Sequence, residues 1–118
     1  MGGMKKALLT KLFYFSSSFA RGREIHGHNF ILSVTVEFTS KTNESRIEEK
    51  IQRSVIQPIH SRDLGLDVDF LKNTPITELN LLKVFTRIIK NEIKPEKLVR
   101  LDLERDKNTR FSLPAVNS

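Results

Sequence analysis

The sequence predicts an α+β domain: an antiparallel four-stranded sheet in the order ββααββ, with two helices packed on one of its faces. Three patterns carry this expectation. Apolar residues alternate from Phe30 through Leu32, Val34 and Val36 to Phe38, which describes a long half-buried strand. Alternation returns at Val99, Leu101 and Leu103. Between these strands Ile47, Ile51, Val55 and Ile59 recur every four residues, and Leu79, Leu82, Phe85, Ile88, Ile89 and Ile93 recur every three or four, the mark of two amphipathic helices.

Each element follows from local chemistry. Residues 6–15 carry Ala7, Leu8, Leu9, Leu12, Phe13, Tyr14 and Phe15, a β-prone run that Ser16-Ser17-Ser18-Phe19 prolongs. The polar loop Arg21-Gly22-Arg23-Glu24 then joins it to the second strand, so the two should pair as an antiparallel hairpin. After a turn cluster at 39–43, Asn43 or Ser45 can cap the first helix, and Pro58 should end it. Residues 60–73 read as a loop. Thr74 before Pro75 offers a hydroxyl cap followed by proline at the first helical position, and Pro95 stops the second helix. Asp106-Lys107-Asn108-Thr109 reads as a hairpin turn into a short last strand at 110–113.

At 118 residues the chain forms one domain, here placed at 5–114. It has no apolar run near the roughly 20 residues that cross a bilayer, and its start lacks the pattern of a secretory signal, so the cytoplasm is the expected compartment. The absence of cysteine excludes disulfides, thiolate ligands and thiol nucleophiles. A formal charge of +6 favours anionic partners, but the cations are scattered among acids, which describes a solvated surface better than a dedicated nucleic-acid interface.

The most specific chemical signal is His26-Gly27-His28-Asn29-Phe30. Residues two apart on a strand share a face, so His26 and His28 can offer two imidazoles to one metal ion, or serve as a polar strand entrance that hydrogen-bonds to loops. Gly27 leaves room there for a ligand or another backbone. Near the end of the third strand Glu104 lies on the polar side of the alternation. It can line a pocket, or pair with Arg105 or Lys107 in solvent.

These motifs, in this order, resemble 6-pyruvoyltetrahydropterin synthase and its relative 6-carboxytetrahydropterin synthase of the queuosine pathway. The resemblance spans about residues 15–111 and rests on Phe15-Ser16-Ser17-Ser18-Phe19, His26 to Phe30, Pro75-Ile76-Thr77-Glu78 and Glu104-Arg105. It implies the tunnelling fold, in which rings of subunits close their sheets into a barrel, so a homo-oligomer is expected, trimer-based with a hexamer as the larger form. It also implies a zinc-dependent carbon–oxygen lyase acting on a substrate of the dihydroneopterin triphosphate class. His26 and His28 correspond to two of three zinc ligands, and Glu104 to the anchor of the pterin ring.

Three positions depart from the family pattern. The first zinc histidine falls on Phe19, the cysteine that acts as general base falls on Gly22, and the threonine usual after the late glutamate is Arg105. A third zinc ligand would have to come from His60, Glu24 or a neighbouring chain. His60 is the remaining imidazole and the candidate replacement base, against its alternative as a surface loop residue. A carboxylate such as Glu104 can take two parallel hydrogen bonds from a pterin's amino and ring N–H groups. The expected function is therefore a pterin synthase-like protein that binds a pterin-type ring, or a non-catalytic pterin-binding or scaffold homologue.

Overall fold

The computed structural model describes residues 6–21 and 24–115. The loose start at 1–4 and the loop residues Gly22 and Arg23 lie outside the described residues. Two long strands, β1 (Ala7–Arg21) and β2 (Glu24–Phe38), pair antiparallel along their whole length, from Ala7 opposite Phe38 to Arg21 opposite Glu24. β4 (Leu98–Arg105) pairs antiparallel with β2, and β5 (Thr109–Pro114) with β4.

The sheet has five strands where four were expected. Its order is β3-β1-β2-β4-β5, and the addition is β3 (Arg62–Asp63), two residues lying parallel to Ser17 and Ser18. This segment was read as loop because two residues carry no period. The hydrogen bonds from Ser61 N–H to Ser16 O (2.6 Å) and from Leu64 N–H to Ser18 O (2.8 Å) hold it there.

The first helix also departs from expectation. α1 (Glu44–Ile51), a π turn (Gln52–Ile56) and α2 (Gln57–Ile59) run on as one rod, so Pro58 sits in the last turn instead of ending the helix. Asn43 is the cap, its side chain accepting from Arg46 N–H. On an α-helix a strict four-residue spacing drifts by about 40° per step. The wider π turn absorbs that drift, and Ile47, Ile51, Val55, Ile56 and Ile59 all end up buried.

α3 (Glu78–Glu92) starts later than predicted: Thr77, not Thr74, supplies the cap, its hydroxyl accepting from Asn80 N–H at 3.1 Å. The expected stripe holds at Leu82, Phe85, Ile89 and Ile93, all buried, and departs at its start. Leu79 is half exposed, whereas Leu81, Leu82, Val84, Phe85, Thr86 and Ile89 are buried. The helices cover the sheet face that carries Phe13, Phe15, Phe30, Leu32 and Val34. There Phe15 stacks on Phe30 at 4.9 Å between centroids and meets Phe85 edge-on at 6.4 Å.

The other sheet face is open. Leu8 (57% exposed), Leu12 (51%) and Tyr14 (66%) stand along β1 on that side, with Ile25 on β2. No helix of the described residues is long and apolar enough to cross a membrane.

Candidate functional site

The helix-side face of β2 begins with His26 and His28, because residues of even number in this strand share the side of Phe30 and Leu32. The pairing of the two imidazoles is as the sequence implies: their rings lie 6.1 Å apart with planes inclined by 21°. Each has a carboxylate partner. His26 Nε2 lies 3.2 Å from the exposed Glu24, and His28 Nδ1 lies 2.6 Å from Asp106 Oδ2.

Asp106 belongs to the β4–β5 turn and had no assigned role in the sequence reading. Its Oδ1 accepts Asn29 N–H at 3.1 Å, and its own N–H donates to Asn29 O at 2.8 Å. The turn is thus clamped to β2 by three hydrogen bonds. The bond from His28, with help from Asn29 N–H and against some desolvation, holds the Asp106 carboxyl below its usual value. Asp106 and Lys107 both adopt positive φ (51° and 65°), as the central residues of mirror-image hairpin turns do. A shallow hollow of about 390 Å³ opens here, lined by His26, His28, Arg105, Asp106, Asn108 and Thr109.

A resident zinc ion does not fit these donors within one chain. Phe19, on which the resemblance places the first zinc histidine, is 1% exposed, stands opposite His26 across the hairpin, and packs its ring 5.4 Å from that of His28. Asp106 engages Nδ1 of His28 and leaves Nε2 free, an arrangement common to metal-bound histidines, so what is lacking is a third ligand. Among the described residues no three of His, Asp and Glu converge as a metal ion requires.

Glu104 lies on the opposite sheet face from the imidazoles. It stands opposite Ile31, one step from the Phe30–Arg105 pair, and alternation turns it toward the open side. It is half-buried, and Arg110 is its ionic neighbour at 3.6 Å, in place of Arg105 or Lys107. Asn29 and Gly27 share that face. Asn29 Oδ1 accepts from the Ser16 hydroxyl at 2.7 Å, and a side chain at Gly27 would meet nothing within 4 Å. A second hollow, of about 350 Å³, takes in residues of both faces, Ser16, Gly27 and Asn29 from the open one and Ser17 and His28 from the other, with Arg62 beside them.

Arg105 points the other way. Its guanidinium pairs with Glu78, buried at the start of α3, and lies 5.7 Å from the centre of the Phe111 ring. Neither this pair nor the Asp106 clamp was legible beforehand, because each joins residues more than 25 positions apart with no shared period.

His60 is held at the edge of β1, where its Nδ1 accepts Ser16 N–H at 3.1 Å. No hydrogen bond or ion pair joins it to His26, His28 or Glu104. The neutral ring in this arrangement carries its proton on Nε2, so the nitrogen left facing outward is a donor and not a base.

No family model matches the sequence, and no curated protein does. Among solved structures, that of 6-pyruvoyl tetrahydropterin synthase from Caenorhabditis elegans is similar, with a TM-score of 0.81 at 17% identity over 97% of this chain and 99% of the other. The two share the whole fold.

Proposed function

We propose, from the fold shared with the nematode synthase, that this chain is a pterin synthase-like protein. It binds a pterin-type ring through Glu104 in a cavity that neighbouring copies complete, and does not run the lyase reaction by the family's route. The fold match carries the reading, because it covers nearly all of both chains. The arrangement of Glu104 supports it: the carboxylate is half-buried on the open sheet face, the face that Asn29 and Gly27 share farther along β2. The apolar row of Leu8, Leu12 and Tyr14 on the same face supports assembly, since such a row is costly to leave in water. Within one chain Glu104 and the imidazoles are on opposite faces, so any site using both must draw them from different subunits.

The chemistry needs a base near the substrate side chain. Of the family's groups, the cysteine position is Gly22, which offers no proton acceptor, and His60 would have to leave Ser16 N–H to act as one. Binding without turnover is the expected result.

Titration with dihydroneopterin triphosphate, with and without added zinc, tests this alongside metal analysis of the purified protein. Saturable binding lost in Glu104→Ala, with no product formed, is the expected outcome. Binding unchanged in Glu104→Ala, or none at all, sinks the assignment. Robust turnover would restore the enzymatic reading.

A further inference from the structure

We propose that the outer side of α3 is a second, separate site, one that binds a small organic phosphate. A cavity of about 470 Å³ lies there, bounded by Lys83, Thr86, Arg87, Lys90, Lys94 and Leu113. Lys83, Arg87 and Lys90 are spaced by four and three residues and so line one side of α3 over a length of about 10 Å, and Lys94 follows in the turn just after the helix. Lys83, Arg87 and Lys94 have no carboxylate within ion-pair distance among the described residues, so these three cations are open to an anion.

The floor provides the second, independent observation. Thr86 is 2% exposed and its hydroxyl has no hydrogen-bond partner. A helical threonine ordinarily returns its hydroxyl to the carbonyl one turn back, and a buried donor left unmet is costly. Thr86 is among the residues that line the cavity, so a rotation of its side chain would bring the unmet hydroxyl to a phosphate oxygen, and the Arg87 guanidinium could take two more oxygens. Leu113 and the aliphatic stems of the lysines cover the rest, which suits a carbon skeleton attached to the phosphate.

Volume and lining favour a small molecule over a nucleic acid. The cavity falls in the range of about 300–1,000 Å³ usual for small-ligand sites. No aromatic ring lines it, whereas single-stranded nucleic acids rely on rings for stacking.

The test is a ¹⁵N–¹H NMR titration of the full chain with tripolyphosphate, with ATP, and with a single-stranded oligothymidylate. Saturable shifts confined to residues 83–94 and 113 are expected, with ATP tighter than tripolyphosphate because its carbon portion reaches Leu113. Arg87→Ala should weaken binding about tenfold. Thr86→Val should weaken it several-fold while leaving the melting temperature unchanged or raised, since it removes an unmet hydroxyl and keeps the shape. The proposal is overturned by shifts elsewhere or none, by Thr86→Val binding as well as the parent, or by the oligothymidylate outcompeting both small phosphates.

Discussion

Arg105 ties the strand that carries Glu104 to the start of α3, and its replacement measures that link. Arg105→Met keeps the stem over Phe111 and removes the guanidinium that faces Glu78, whose side chain is only 8% exposed against 21% for Arg105. Breaking a buried ion pair costs about 3–5 kcal/mol. Two features reduce that here. The guanidinium keeps some water, and the carboxylate at the first position of α3 retains the favourable end of the helix dipole, about 0.3–1 kcal/mol. A loss of about 2–3 kcal/mol remains, or about 8–12 °C in melting temperature for a domain of this size. Urea and thermal unfolding of the two single variants and of Glu78→Gln/Arg105→Met measure it. The double variant should recover about 1–2 kcal/mol relative to the sum of the singles. A single-variant loss below about 0.5 kcal/mol, or strict additivity, would refute the pairing as an energetic unit.

Two further outcomes are expected. Phe19→His should add a third imidazole beside His26 and His28 and raise zinc affinity in a chelator competition, at a stability cost of about 2–3 kcal/mol for a polar ring in a dry position; equal zinc retention by the parent chain would contradict the fit argued above. Asp106→Ala should destabilise by about 1 kcal/mol at neutral pH, a figure already discounted for partial exposure of the carboxylate. Because the folded carboxyl is held below its ordinary value of 3.8, its contribution is complete above that value and fades as pH falls through the lowered one. The gap between parent and Asp106→Ala in urea unfolding should therefore narrow toward pH 3, and a gap constant with pH would refute the clamp.

What was legible in the sequence was periodic. The alternation of β2 and β4 gave both faces of each strand, and so put His26 with His28 and set Glu104 apart from Arg105. The four-residue spacing of Ile47, Ile51, Val55 and Ile59 marked a helix, and its excess over 3.6 residues per turn was a trace of the π turn that went unread. Thr77 was within reach as well: a hydroxyl immediately before Glu78 competes with Thr74, and the backbone chose the one whose oxygen meets an amide three residues on. What stayed hidden was pairing without period. The two residues of β3, the turn carboxylate of Asp106 and the Glu78–Arg105 pair each depend on the sheet closing first.

Of the departures from the pattern that the resemblance implies, Phe19 and Arg105 lie among the described residues, and the two sit on the same side of the sheet. Phe19 packs beside His28, and Arg105, standing where a threonine is usual, turns away from Glu104 to pair with Glu78. Both changes lie on the helix side of the sheet. There one is engaged in packing and the other in a buried ion pair, so neither side chain is free to hold a metal or meet a ligand. The open side keeps Glu104, Asn29 and the empty space at Gly27. If the proposed function holds, the two sheet faces divide the work: ring recognition would need only the Glu104 carboxylate in a cavity closed by a neighbouring copy, whereas proton transfer would need a metal or a base beside the substrate.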